Sequence, residues 1–227
     1  GLKCNEDERV HIFDIHIFGR IAAIAVPSIL QQSFISVGNI IIQSVINGFG
    51  TSVMAGYSAA IKLNNLVITS LTTLGNGISN YTAQNLGAGK KERIRPGFFA
   101  GGKLVWIICI PFIILYWVAG RYLLLLFVEQ SSTSAIETGM QFLKIISPFY
   151  MIVSIKLVAD GVLRGAGKMG RFMITTFTDL ILRVALAILL SAHYGTAGIW
   201  SAWPIGWCIS TTLSVVFFFT GEWNKKR

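Results

Sequence analysis

Residues 74–95 read L-G-N-G-I-S-N-Y-T-A-Q-N-L-G-A-G-K-K-E-R-I-R, and here a long apolar region gives way to the densest cluster of positive charge in the chain. Asn76, Asn80 and Gln84 recur every four residues and so share one face of a helix. Gly87 and Gly89 supply the permissive backbone that ends a helix, and Lys90, Lys91, Arg93 and Arg95 follow in water. The stretch reads as a helix leaving a bilayer on its positive, cytoplasmic side.

Composition carries the same reading to the whole chain. The 227 residues are 53% hydrophobic and 13% charged, about half the charged share of an ordinary soluble domain. The charges are clustered between long uncharged runs, the pattern of a polytopic membrane protein. A net charge of +9 does not point to nucleic acid, because the basic residues sit in short separate segments rather than on one surface. Cys4, Cys109 and Cys208 are odd in number and far apart, so they form neither a disulfide framework nor a metal site. His11, His16 and His193 fall in polar segments as surface histidines, and no hydrolytic, redox or phosphate-binding constellation appears. The charged start lacks the apolar core of a signal peptide and is expected to be a linker within a longer protein.

Taken in order, the chain divides into a linker over residues 1–16, a transmembrane lobe over 17–221 and a basic tail over 222–227. Six spans are expected, near residues 20–46, 53–86, 96–118, 142–163, 172–190 and 199–220. Residues 121–128 read as an interfacial continuation and 130–138 as a polar excursion. In the first span Gln32, Ser36, Asn39, Gln43 and Asn47 form a polar stripe at helical spacing. Lys62, Asn65, Thr69, Asn76 and Asn80 belong to a second stripe in the next span, joined to the first by the short uncharged turn at residues 48–52. Lipid-facing stripes of this kind are costly, so the two are expected to share a wet cavity. Gly56, Ala59 and Ala60 would let a neighbouring helix approach closely. Trp200, Trp203 and Trp207 suggest part of an interfacial aromatic belt. With six crossings the basic residues collect on one side, so both termini are expected in the cytoplasm.

Ionisable residues inside spans are functional candidates by default. Lys156, Asp160 and Arg164 follow at steps of four on one helix face. The contest between burial and flanking charge makes Asp160, with Lys156, a candidate protonation or cation switch, the alternative being a satisfied ion pair that locks the helix. Arg164 reads as a structural anchor, and Asp179 with Arg183, acid first at four residues, as a structural ion pair.

Four segments together resemble the multidrug and toxic compound extrusion (MATE) transporters: P-S-I-L-Q-Q-S-F-I-S-V-G-N at 27–39, A-G-Y-S-A-A at 55–60, A-Q-N-L-G-A-G-K-K-E-R at 83–93 and L-R-G-A-G-K at 163–168. The resemblance implies an all-α fold of twelve transmembrane helices in two lobes, of which this chain is the C-terminal six-helix lobe and lacks its N-terminal partner. It implies a secondary antiporter of a bacterial cytoplasmic membrane that exports small organic, often cationic, compounds in exchange for Na+ or H+, with no cofactor and no enzyme activity. Some members carry a coupling glutamate in the first helix of this lobe. Phe34, Ile35 and Ser36 stand at that place here. Other members place the coupling acid in the first lobe, and some carry an acid in the tenth helix, the role that the resemblance extends to Asp160. Two other readings remain: a lipid-linked sugar exporter of related fold, favoured by cations such as Lys62, Lys156 and Arg183, and a non-transporting membrane fragment.

Overall fold

A computed structural model describes residues 14–224, so most of the expected linker and the end of the basic tail lie outside the described residues. Helix α1 covers Ile15–Asn47, α2 Thr51–Gly87 and α3 Ile94–Leu124. Helix α4 covers Thr133–Gly165, with one 3-10 turn at Ser147–Phe149 where Pro148 has no N–H to donate. A last helical run, Met169–Phe219, is broken at Gly195 (φ 58, ψ −138) into α5 at 169–194 and α6 at 196–219. There is no strand among the described residues.

Four stretches are long and apolar enough to cross a membrane: Ile21–Asn47, Lys91–Leu124, Thr133–Gly165 and Met169–Phe219. The last is two arms. Lys168 pairs with Glu222 at 2.9 Å and the Arg171 guanidinium donates to the Phe217 carbonyl at 3.4 Å, so the start of α5 lies beside the end of α6. The loop expected between residues 190 and 199 is instead a one-residue corner. Gly195 takes a left-handed φ open to few other residues, and a Cβ at Gly198 would strike the Leu190 carbonyl. Helix α2 completes the six-helix bundle, and its length of 37 residues suffices to cross a bilayer, although its polar stripe lowers its hydropathy.

The expected start of the fourth span was too late. Residues 133–141 continue the helix because Ala135, Ile136, Gly139, Phe142, Leu143 and Ile146 recur at helical spacing and are all buried. This face packs on α2, the central helix, which also contacts α3. Close approach of α2 and α4 rests on glycine. A Cβ at Gly56 would strike the Ala135 carbonyl, one at Gly161 the Gly75 carbonyl, and one at Gly165 the Ser79 carbonyl.

Aromatic side chains fill the core between α2, α4 and α6. Tyr57 stacks on Trp200 at 5.3 Å, and Phe142 meets Trp200 edge-on at 5.1 Å. Trp200, Trp203 and Trp207 are all buried, so they are core and not an interfacial belt. Two buried tyrosine hydroxyls find partners: Tyr116 donates to the Leu63 carbonyl at 2.7 Å and Tyr150 to Asn64 Oδ1 at 3.1 Å. The outer faces of α1 and α3 expose Ile29, Val37, Ile40, Ile107, Ile114 and Val118, residues suited to hydrocarbon.

Helix α1 stands apart from the rest. It meets α2 only sparsely and leans instead on α5, where Gly38 lies under Leu180 and Phe34 meets Phe177 edge-on at 5.3 Å. The expected α1–α2 hairpin is therefore splayed, and the space between its arms is part of a cavity.

Candidate functional site: a polar cavity inside the bundle

A cavity of about 650 Å³ is bounded by α1, α2, α4, α5 and α6, within the size range of sites for small organic ligands. One wall is amide-rich: Gln31, Gln32, Asn39 and Gln43 from α1 face Asn64, Asn65 and Thr72 of α2. The opposite wall is charged, with Lys156, Asp160 and Arg164 from α4 and Asp179 and Arg183 from α5. Aromatic rings of Tyr57, Phe172, Trp203 and Trp207 complete it. The helical period explains this directly, since steps of three and four put each set on one face.

Asp160 is the most heavily tied group. Lys156 Nζ donates to Asp160 Oδ2 at 2.7 Å, with side-chain exposures of only 6% and 3%. Ser214 of α6 donates to Asp160 Oδ1 at 2.7 Å, and Thr175 of α5 lies 3.1 Å from the same oxygen. The Thr175 hydroxyl also reaches the Phe172 carbonyl at 2.8 Å, so one proton serves two acceptors. A single carboxylate thus joins α4, α5 and α6. Buried charge is tolerated there because the ammonium and the two hydroxyls meet both carboxylate oxygens.

Asp179 and Arg183 do not form the expected ion pair. The ion pairs among the described residues are Lys156–Asp160 and Lys168–Glu222. Arg183 lies instead over the Trp203 ring, 4.4 Å from its centroid, and its Nε has no hydrogen-bond partner. Asp179 Oδ1 is likewise buried without a partner, backed by Gly206, where a Cβ would stand 3.0 Å away. Arg164 follows the same pattern: its guanidinium sits 5.1 Å from the Phe172 centroid and its Nε is unpartnered. A ring beneath each cation satisfies part of its electrostatics, while the Nε–H stays without an acceptor.

Of the expected cavity residues, Gln32, Asn39, Gln43 and Asn65 line the cavity, as do Lys156, Asp160, Arg164, Asp179 and Arg183. Gln43 also donates to Asn47 Oδ1 at 2.9 Å along α1. Ser36 is outside the lining and returns its hydroxyl to the Gln32 carbonyl. Thr69, Asn76 and Asn80 are exposed on α2 and also outside it. Lys62 lies over the Phe127 ring, 5.0 Å from its centroid, at the far end of α3 rather than in the cavity. Gln31, Asn64, Thr175 and Ser214 were missed. Gln31 adjoins Gln32 in the sequence, lines the cavity with it and is the more buried of the two, and Thr175 and Ser214 find Asp160 only through packing.

A family model described as MatE matches residues 27–189. The chain is 29% identical over 208 residues to the probable multidrug resistance protein YpnP of Bacillus subtilis (strain 168), covering 91% of this chain and 46% of that protein. It is 24% identical over 215 residues to the probable multidrug resistance protein NorM of Thermotoga maritima, covering 91% and 45%. The chain thus spans less than half the length of the curated relatives it matches. The fold is shared with a MOP superfamily transporter from Pyrococcus furiosus, described as having a binding pocket of reverse polarity (TM-score 0.81, 19% identity, 88% of this chain and 44% of that one). Six helices in this order, the extent of the match and the multidrug resistance relatives lead to one conclusion: the chain belongs to the MatE family of membrane transporters.

Proposed function

We propose that the chain is the C-terminal lobe of a secondary active efflux antiporter that exports small organic compounds in exchange for Na+ or H+ by alternating access. The observation that carries this reading is the polar cavity inside a bundle whose outer faces are apolar. A wet, charged space enclosed by membrane helices has few roles besides moving solutes. The multidrug resistance proteins named above support the substrate class. Asp160 and Lys156 are the coupling candidates: a proton or cation that displaces Lys156 from the carboxylate would alter the junction of α4, α5 and α6.

The exposed polar residues of α1 and α2, among them Ser36, Asn65, Thr69, Asn76 and Asn80, support a missing partner lobe. Such a row facing hydrocarbon is expensive, whereas a second lobe or a watery cleft satisfies it.

In proteoliposomes containing the full-length protein, an imposed Na+ or H+ gradient is expected to drive counter-movement of a small organic dye. Equal dye flux with and without either gradient would reject the antiport reading. Topology has its own test. In a background with Cys4, Cys109 and Cys208 replaced, Ser52→Cys is expected to react with an impermeant thiol reagent from outside the cell and Lys90→Cys only after permeabilisation. Both positions are exposed, and Lys90 avoids the left-handed φ of 72° at Gly89. The reverse labelling pattern overturns cytoplasmic termini.

A further inference from the structure

Charge in the cavity does not cancel. Its lining carries the cations Lys156, Arg164 and Arg183 against the carboxylates Asp160 and Asp179. Lys156 and Asp160 neutralise each other at 2.7 Å, and the Asp160 oxygens are filled by Ser214 and Thr175 as well. Two guanidiniums and one carboxylate remain, an excess of one positive charge. Neither guanidinium forms an ion pair among the described residues, and the Nε of each is buried without a hydrogen-bond partner.

Arg183 is the sharper case, only 8% exposed yet lining the cavity. Its Cζ lies over the Trp203 ring, and its Nε–H meets no acceptor. A guanidinium that keeps unpaired N–H donors suits the bidentate geometry by which Arg binds carboxylate or phosphate. A buried charge left unpartnered is costly, and an anionic ligand removes that cost. A cationic ligand has only Asp179 to meet, and Arg183 stands one helical turn from Asp179 on the same face. Lys156 is also within coulombic reach of both. Like charges at such distances repel strongly away from water.

We infer that the cavity of this lobe takes an organic anion: a flat, drug-sized aromatic body bearing a carboxylate or phosphate. Arg183 is the main anion-binding group and Arg164 the second. Trp203, Trp207 and Tyr57 supply the apolar surface for the body, while the amides of Gln32, Asn39 and Asn65 take its neutral polar atoms. This rests on reading the chain as a transporter lobe, and it departs from that reading's expectation of frequently cationic substrates.

Fluorescein and rhodamine 6G, anionic and cationic dyes built on the same xanthene ring, separate the cases. By fluorescence anisotropy with the purified full-length protein, fluorescein is expected to bind more tightly than rhodamine 6G. Arg183→Gln should weaken fluorescein by about tenfold or more, the loss expected for a charge-assisted pair, and leave rhodamine 6G unchanged or tighter. Arg183→Lys should recover part of the loss, since it restores charge without the fork, and Arg164→Gln should show a smaller effect of the same sign. Unaltered melting of each variant in detergent checks that the fold is intact. Tighter binding of rhodamine 6G, or a fluorescein affinity indifferent to both arginine changes, overturns the inference. Gradient-driven rhodamine movement with that indifference leaves the transport reading standing and removes this one. Arginine-dependent fluorescein binding without gradient-driven movement does the reverse.

Discussion

Asp160→Ala is expected to lower the thermal unfolding midpoint in detergent more than any other single change in the charged wall. Removing one partner of a buried ion pair costs about 3–5 kcal/mol, because the other charge remains without compensation. Here the loss is compounded. Lys156 is left charged at 6% side-chain exposure, and Ser214 loses the acceptor that ties α6 to α4. The paired replacement Lys156→Met with Asp160→Leu should recover most of the stability, since apolar residues of similar volume often substitute for a buried pair without net loss. The two variants also separate structure from coupling. A stable double variant that still moves dye under an ion gradient removes Asp160 from the coupling step; one that moves dye only downhill keeps it there. Wild-type melting of Asp160→Ala would show that the junction contributes nothing to stability.

Gly161→Ala should be nearly as damaging for a different reason. The added methyl would meet the Gly75 carbonyl and its carbon at 3.2 Å, and backbone atoms inside two packed helices cannot turn aside as a side chain can. Overpacking of this kind costs about 1–3 kcal/mol, occasionally more. Gly165→Ala should act alike against Ser79, whereas Gly77→Ala meets nothing within 4 Å and should be neutral or mildly stabilising through helix propensity. The measurement is the shift in melting midpoint together with the monodisperse fraction on size exclusion. Equal behaviour of Gly161→Ala and Gly77→Ala would mean that α2 and α4 are not in backbone contact.

The sequence showed the parts that depend on local pattern. Apolar runs and their breaks gave six helices, and the four-residue steps of Gln32, Asn39 and Gln43 or of Lys156, Asp160 and Arg164 put each set on one wall. What failed depends on which helix meets which. Lys62 has the spacing of the cavity stripe, yet it stands over Phe127 because α2 is longer than a single crossing requires. Asp179 and Arg183 had the spacing of a pair, but Trp203 on α6 offered the guanidinium a ring, a partner invisible in α5 alone. Trp200, Trp203 and Trp207 looked interfacial from their place near a helix start; the tight corner at Gly195 turns them into the core. Residues 130–138 read as a polar excursion, yet the buried stripe of Ala135, Ile136 and Gly139 carries the helix on from Thr133.

Helix α1 has a mechanical consequence. Pro27 lies within it, so the Ala23 carbonyl has no backbone N–H to accept from at the helical distance, and the rod is weakest there. Its attachment to the bundle is by contacts of Gly38 and Phe34 on α5 rather than by interhelical ion pairs. Bending α1 about the proline would therefore change the separation of the amide wall from the charged wall while leaving the Asp160 junction intact. The lobe is built as a stiff frame of five helices with one compliant side, and the elastic work of widening the cavity falls on dispersion contacts, which re-form at a new register with little penalty.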